Sequence, residues 1–596
     1  MVLEFLEKVS LRCSLMSSLL DIYHKLISTN FFGEGAEPRP LLEVALETLE
    51  DTAKRGGLLI LQLPTGYGKT AITYSSFINA VLQPNFFWRV IHVSPLRTLI
   101  DDIYRRLVEG FKGDLKDAYH YVNRLAGMQM MYSAGSPYLQ KRLVITTFDT
   151  FTLALAKVPP QEVEDIATGR GHGHFDVPRA SVLESLVVMD EVHSFLSEPL
   201  DKTGTSKALQ VLMSALHYLV ESRVPLVLMT ATMPEKHVRS MLHTINLLLR
   251  GSSPYYKELY YGKESFIDKD FEHEQSSKNI ETKLVGKGLQ AFVEQALEYA
   301  SSYNKLLVVL NTIPRALQVY RELRGKGLNA LLLHSKFKQP DRDEKLEKLK
   351  SDRWILVSTQ VVEVGVDISA EVLVTDVAPA NNLVQRAGRV ARRKNDSEGI
   401  VVIVEDDEAS HGYHIYNVNL LNKTIEELRR HSDRAKVKIN WRSLGNDEKI
   451  GYQDFVNNVY SEDQRFTFDV TYYRLISSYY WTPQDSIRLL TEVYDGSFLR
   501  SSPLIPLLVS PSEELTLSTS FLAVNSIPTD LGDIARLLRK GIRIEKILRD
   551  KGESAREPLK PQDVNSIVRF IMTGRLIALY MPHAEEVYSQ SEGLIP

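Results

Sequence analysis

The sequence predicts an α/β protein: two doubly wound parallel sheets in tandem, then an accessory C-terminal region of mixed character. Three observations predict it. Short strands rich in Val, Ile and Leu alternate with charged helical stretches from Leu58 to about Arg250 and again over 286–424. Strands of that kind are buried on both faces, and between helices they form parallel sheets. Leu63-Pro64-Thr65-Gly66-Tyr67-Gly68-Lys69-Thr70 follows the first strand and opens a helix, as a phosphate-binding loop does. Finally, 596 residues exceed what one core organises, so several domains are expected.

In chain order, residues 1–50 read as a helical segment. Val2, Phe5, Leu6, Val9, Leu11, Leu15, Leu19 and Ile22 recur at roughly helical spacing, and a second helix runs from Leu41 to about Lys54. The first α/β domain, 51–250, has strand candidates at 58–63, 89–94, 142–147, 185–190 and 225–230. Polar residues 251–285 read as a connection. The second domain, 286–424, has strands near 305–310, 329–333, 354–358, 371–376 and 399–404. Beyond 425 lies the accessory region: an aromatic-rich stretch from Trp441 to Trp481, strand candidates Leu504–Val509 and Leu515–Val524, a basic helical segment Arg536–Lys551 and a final helix near Val564–Tyr580.

Composition narrows the class. Hydrophobic residues at 44% and charged residues at 24% are those of a globular protein. No apolar run approaches a membrane span, and the start carries Glu4 and Glu7 without a basic leader, so no membrane association and a cytoplasmic location are expected. The single cysteine, Cys13, forms no internal disulfide, and no Cys/His spacing suggests zinc. A net charge of -4 argues against a globally basic nucleic-acid coat and leaves a local basic channel open.

Chemistry concentrates at strand ends. Gly66 and Gly68 let backbone N–H groups turn inward toward an anion at the helix N-terminus; Lys69 would reach the β- and γ-phosphates of ATP, and the Thr70 hydroxyl Mg²⁺. The first consensus position holds Leu63 where a small residue is usual. At 186–193 the run Leu-Val-Val-Met-Asp-Glu-Val-His ends an apolar strand with an acidic pair: Asp190 to hold Mg²⁺ with Thr70, Glu191 to orient and activate water. Thr230 and Thr232 follow the strand ending at Met229, where small hydroxyls can report nucleotide state. In the second half, Ser358-Thr359-Gln360, Val364-Gly365-Val366-Asp367 and Gln385-Arg386-Ala387-Gly388-Arg389-Val390-Ala391-Arg392 follow predicted strands. Arg389 and Arg392, three apart, are expected on one helical face, offered across a cleft to a transferring phosphoryl group.

This ordered set resembles the superfamily 2 helicase core over roughly 40–410. Val187–Phe195, the HSKF run at 334–337, the STQVVEVGVDIS run at 358–369 and the APANNLVQRAGRVARR run at 378–393 look like the CRISPR-associated helicase of type I systems. The resemblance implies two RecA-like domains that bind ATP and Mg²⁺ in their cleft and translocate on single-stranded DNA to unwind targets marked by an RNA-guided CRISPR surveillance complex. It assigns nucleotide contact to Pro64 through Thr70 and Asp367, and catalysis to Lys69, Glu191, Gln385, Arg389 and Arg392. Coupling falls to His193, Thr230 and Thr232, and the DNA backbone to Ser94, Pro95, Arg97, Thr146, Thr147, Thr359 and Gln360. Two departures stand out. The upstream glutamine that reads adenine is replaced by Leu41-Leu42. None of the 15 histidines is followed by Asp, so the usual amino-terminal HD nuclease is missing and a separate HD nuclease protein is the expected partner.

The alternatives are an RNA or repair helicase of the same superfamily, and a nucleotide-gated recruitment module, against which the water-activating Glu191 speaks. Gly169–His174 reads as a flexible loop before it reads as a metal site. The aromatic set from Trp441 to Trp481 reads as core before base stacking. The cations from Arg536 to Lys551 read as a solvated face before a strand exit.

Overall fold

The computed structural model describes residues 18–111, 122–130, 133–170, 173–198, 205–249, 254–262, 266–286, 288–363, 365–405, 415–460, 466–510, 517–550 and 553–596. The first sheet comprises β1 (Leu58–Gln62), β2 (Arg89–Ser94), β3 (Ala126–Met130), β4 (Ser133–Ala134), β5 (Leu143–Thr147), β6 (Ser185–Asp190), β7 (Leu226–Thr230) and β8 (Tyr256–Tyr260), in the order β4-β3-β5-β2-β6-β7-β1-β8. Every pairing is parallel except β3 with β4. β1, β5, β6 and β7 are buried at every position, which is why they read as unbroken apolar runs. Gln62 lies opposite Thr230, Asp190 opposite Met229 and Ser94 opposite Thr147, so the motif-bearing turns leave one edge together.

The second sheet comprises β9 (Asn279–Val285), β10 (Lys305–Val309), β11 (Ala330–Leu333), β12 (Trp354–Ser358), β13 (Val372–Asp376), β14 (Glu398–Val404), β15 (Ser432–Asp433) and β16 (Lys436–Val437), in the order β11-β12-β10-β13-β14-β9-β16-β15. The two sheets are the tandem α/β units predicted. The expected connection 251–285 instead contributes a strand to each: β8 to the first and β9 to the second. Both alternate polar with apolar residues and are only partly buried, so they lack the apolar run that marks the inner strands.

Helix Pro40–Lys54 matches the expected second helix, and Leu19–Ser28 carries the last two positions of the expected first, Leu19 and Ile22; a reciprocal Ser18–Asp21 capping box starts it, and Leu19, Ile22, Tyr23 and Leu26 bury its inner face. Val2, Phe5, Leu6, Val9, Leu11, Cys13 and Leu15 lie outside the described residues. The accessory region builds its own mixed sheet from β19 (Ile505–Leu508), β20 (Ser526–Thr529), β21 (Glu545–Asp550), β22 (Glu553–Pro558) and β23 (Leu576–Tyr580). β17 (Ile439–Asn440) and β18 (Ile450–Gly451) pair before it. Three expectations are corrected here. Thr519–Asn525 within the expected strand 515–524 is a helix. The basic helix ends at Arg539, and residues 545–550 form β21, which pairs with both β22 and β23 and buries Lys546, Ile547 and Leu548. The last helix stops at Met572, and 576–580 is β23.

Most of the aromatic stretch is core: Trp441, Phe455, Tyr460, Phe466 and Tyr472 are buried, and the Trp441 indole N–H donates to Thr282 Oγ1 at 2.8 Å. Tyr479 and Tyr480, 86% and 94% exposed, are the exceptions.

The accessory region grips both α/β domains. Toward the first it places Arg549 on Glu164 and Arg500 Nε 3.2 Å from Asp149. Toward the second it places Asp533 on Lys336 and Glu592 on Arg321, the latter bidentate at 2.8 and 2.6 Å. His334 completes that seam: its Nε2–H donates to the Glu592 carbonyl at 2.8 Å and its Nδ1 accepts from the Lys336 N–H at 3.1 Å. The ring is fully buried, and burial first, with nearby lysines, pushes its pKa down to about 4. Protonation would destroy the Nδ1 acceptor. Stability from this group is therefore present above about pH 6.5 and lost as pH falls toward 4; at pH 5 it costs about 2 kcal/mol. Denaturant unfolding at pH 7.5 and pH 5 should show His334→Gln with a correspondingly smaller acid-induced loss than the parent chain.

Candidate nucleotide cleft and strand channel

The phosphate loop forms because β1 ends against β7. Leu63 N–H donates to the Thr230 carbonyl at 3.0 Å with its side chain fully buried, so the residue at the atypical first position is an extension of the strand and its core. Gly66 and Gly68 then take φ of +86° and +98°, and the helix Thr70–Leu82 begins. A Cβ at Gly66 would meet nothing within 4 Å, so the loop faces open space at a helix N-terminus, as an anion requires. Tyr67 takes part through its backbone alone. Its ring is buried between Tyr261 and Phe271, with its hydroxyl donating to Asp268 Oδ2 at 3.0 Å. Leu42, in place of the adenine-reading glutamine, is buried, 3.4 Å from where a Gly68 Cβ would stand.

Lys69 donates to Glu191 Oε1 at 2.8 Å and lies 4.0 Å from Asp190 Oδ1. Glu191 occupies the left-handed region at φ +54°, a strained conformation for a residue with a Cβ that turns its carboxylate back toward the loop. Burial raises the Asp190 pKa, with Lys69 opposing; burial also works to raise Glu191, but Lys69 and His193 together pull it below its ordinary value. Thr70 and Asp190 offer the hydroxyl and carboxylate oxygens that a hard divalent cation takes, and Glu191 Oε2 is buried without a hydrogen-bond partner.

His193 ties this centre to the second domain. Its Nδ1 lies 2.9 Å from Thr230 Oγ1 and 3.1 Å from Glu191 Oε2, and its Nε2 lies 3.3 Å from Gln385 Nε2. Gln385 Nε2 is a donor, so His193 accepts at Nε2 and carries its proton on Nδ1. Burial first, with Lys69, drops its pKa to about 4 and keeps the ring neutral. Thr232 joins through its N–H, which donates to Thr230 Oγ1 at 3.3 Å; its own hydroxyl is buried and unpartnered.

Arg389 and Arg392 do not share a helical face. The helix Ala380–Ala387 ends before them, and both side chains instead reach back to the Val366 carbonyl, at 3.0 and 3.2 Å. Arg389 is buried, also donates to the Glu363 carbonyl, and has a pKa well below the usual guanidinium value because of burial and Arg392. Arg392 pairs with the exposed Asp367 at 3.3 Å. The domains meet at Gly365, whose φ is +79° and whose Cβ would stand 2.7 Å from Thr98 Oγ1 and 2.8 Å from the Leu99 nitrogen.

Beside the cleft runs a cavity of about 2140 Å³, walled by both α/β domains and closed by the accessory region. Of the residues expected on the strand, Pro95, Arg97, Thr147, Thr359 and Gln360 line it. Ser94 and Thr146 do not: both are fully buried, and the Thr146 hydroxyl donates to the Gln129 carbonyl at 2.6 Å, so they support the sheet. Thr147 and Thr312 cap helices Phe148–Leu155 and Ile313–Gly325, bringing one helix N-terminus from each domain to the cavity. Arg536, Lys540 and Arg549, expected on a solvated face before a strand exit, line the cavity, as does Thr312, which the sequence did not single out. His174, from the discounted glycine loop, pairs with Glu162 at 3.1 Å, and the described residues hold no metal-ligand cluster.

Comparison with known proteins agrees with both halves of this arrangement. Residues 43–241 match the DEAD/DEAH box helicase family, and residues 302–395 the C-terminal part of the CRISPR-associated nuclease/helicase Cas3 family. The chain is 24% identical over 436 residues to the CRISPR-associated helicase Cas3 of Thermoproteus tenax, an alignment spanning 71% of this chain and 67% of the relative. It is 22% identical to the CRISPR-associated nuclease/helicase Cas3 of Methanothermobacter thermautotrophicus, spanning 63% of this chain and 43% of that one. The ATP-bound crystal structure of T. fusca Cas3 superposes with a TM-score of 0.60 over 86% of this chain and 66% of its own, at 18% identity, which establishes a shared fold.

Gly365→Ala tests the closeness of the domains. The variant should retain nucleotide binding within about threefold by equilibrium titration, because the P-loop is untouched, and lose turnover by about tenfold or more, because Arg389 is held off Glu191 by the clash.

Proposed function

We propose, for a chain whose helicase core is of the CRISPR-associated Cas3 type, that it hydrolyses ATP to translocate along single-stranded DNA and unwinds targets presented by an RNA-guided surveillance complex. The observation that carries this reading is the Gln385–His193 contact across the cleft. It places the phosphate loop and acidic pair on one side and the arginine pair on the other, directly beside a cavity with two helix N-termini and basic side chains.

In the hydrolytic cycle the γ-phosphate displaces Lys69 from Glu191, which frees the amine for the phosphates and the carboxylate for a water. Glu191 orients that water in line and takes up its proton. Gly66, Gly68 and the first helical N–H groups cradle the phosphates, while Pro64 and Thr65 set the entry to the loop. Thr70 and Asp190 would hold Mg²⁺, which when bound supplies positive charge to the phosphate oxygens. Arg389 and Arg392 leave the Val366 carbonyl to meet charge developing on the transferred group, an effect worth about 10³–10⁵ in rate. Asp367, exposed at the rim beside Arg392, is placed to accept from the ribose hydroxyls.

On the strand side, Arg97, Thr147, Thr359 and Gln360 contact phosphates and sugars, so grip is independent of sequence. The reading assigns strand cutting to a separate HD nuclease protein and a cytoplasmic location to the chain.

The test is ATP hydrolysis by the purified chain alone, with single-stranded DNA and with single-stranded RNA. DNA should stimulate most. Lys69→Ala should abolish turnover, and Glu191→Gln should lower it about 10³-fold while retaining nucleotide binding. Greater stimulation by RNA would make the chain an RNA helicase, and no turnover under any condition would leave a nucleotide-gated recruitment module.

A further inference from the structure

Arg386 is fully buried in the second domain, one residue from Gln385, between the nucleotide cleft and the strand cavity. Its five N–H groups are all engaged. Nε donates to Glu363 Oε1 at 2.7 Å; one terminal nitrogen donates to Thr375 Oγ1 at 2.9 Å and the Asp376 carbonyl at 3.2 Å; the other donates to Asn311 Oδ1 at 2.9 Å and the Tyr416 hydroxyl at 3.1 Å. Those acceptors come from four separate segments. Asn311 and Glu363 line the strand cavity, and Asn311 also accepts the Gln360 amide on its carbonyl at 2.7 Å. The Glu363 carbonyl, in turn, accepts from Arg389.

We infer that Arg386 is a positioning residue that makes strand contact at Thr359–Gln360 and the placement of Gln385 and Arg389 at the cleft interdependent. A simple buried ion pair with Glu363 would need one of the five donors. Of the other four, two tie Asn311 and Tyr416 on the cavity wall to the helix that carries Gln385 and two tie that helix to the end of β13 at Thr375 and Asp376, so the turn 360–363 cannot shift on a strand without shifting Arg386, and Arg386 cannot shift without moving Gln385 or the Arg389 anchor. Asp376 is itself fixed from behind by Arg315 at 2.8 Å and by the Asn311 N–H at 2.7 Å, so the network moves as a unit.

The inference rests on the ATP-driven, strand-binding reading above, and its test separates the two. The affinity of a single-stranded DNA oligonucleotide is measured without and with a saturating non-hydrolysable ATP analogue, and that of the analogue without and with the oligonucleotide; by linkage the two ratios are one coupling factor. In the parent chain that factor should differ from one by about fivefold or more. A factor of one there overturns the strand-coupled reading itself, before any variant is considered. Arg386→Lys keeps the charge beside Glu363 but cannot span the four segments. It should keep each separate affinity within about threefold while bringing the coupling factor close to one. A parent-like coupling factor in Arg386→Lys would overturn the inference, as would equal losses in both separate affinities with coupling preserved, the mark of a purely structural prop. Should Arg386→Lys fail to fold in a thermal melt, Tyr416→Phe, which deletes a single hydroxyl from the network, decides: reduced coupling supports the inference and unchanged coupling sinks it.

Discussion

Everything at the cleft depends on Lys69 and Glu191 sharing one buried site. Two opposite charges removed from water stabilise one another only while their geometry holds, and separating them exposes each to the full cost of its desolvation. In the proposed cycle that cost makes the pair a sensor: a triphosphate would offer Lys69 a stronger partner at the moment Glu191 is needed elsewhere, so the same event would load the site and free its carboxylate. The left-handed backbone at Glu191 and the parallel registry of β6 with β7 fix the pair in place.

Charge is treated differently on the two sides of the cleft. On the first domain, His92 and His193 are both held neutral, their pKa values pushed down by burial to about 3 and about 4, so neither adds a positive charge beside Lys69. On the second domain the two arginines beside the cleft are tied to a backbone carbonyl, that of Val366. Guanidinium groups parked on carbonyls lose little when a phosphate takes their place, because no carboxylate is left buried and unpaired.

Much of this was legible in the sequence, for an identifiable reason. Inner parallel strands must be apolar on both faces, so β1, β2, β5, β6, β7 and the core of the second sheet announced themselves, and their ends carried the motifs. β8 and β9 did not, because strands at or near a sheet's margin alternate, and alternation among charged residues reads as a linker. Arg389 and Arg392 were singled out by residue type, but their setting was not legible: the helix stops at Ala387, and only the tertiary position of Val366 explains where they point. Ser94 and Thr146 were misplaced because a hydroxyl at a strand end looks the same whether it faces solvent or a neighbouring carbonyl. Arg386 stood inside the motif run but received no role, since its neighbours come from segments up to 75 residues away.

The seams of this molecule also differ in what ions in solution can do to them. The contact that registers one α/β domain on the other, Gln385 with a neutral His193, carries no net charge on either side. The accessory region, by contrast, meets the first domain across a seam with two parts: a buried one, in which Tyr472, Ile476 and Leu490 join that domain's core and the Tyr472 hydroxyl donates to the Thr152 carbonyl, and a rim with the pairs Arg549–Glu164 and Arg500–Asp149, whose arginines are about half exposed. Added salt screens exposed pairs of that kind over a distance of about 8–10 Å and leaves a neutral hydrogen bond almost untouched. Ionic strength thus acts selectively, on the rim of the accessory seam, while the buried part of that seam and the Gln385–His193 contact keep their alignment.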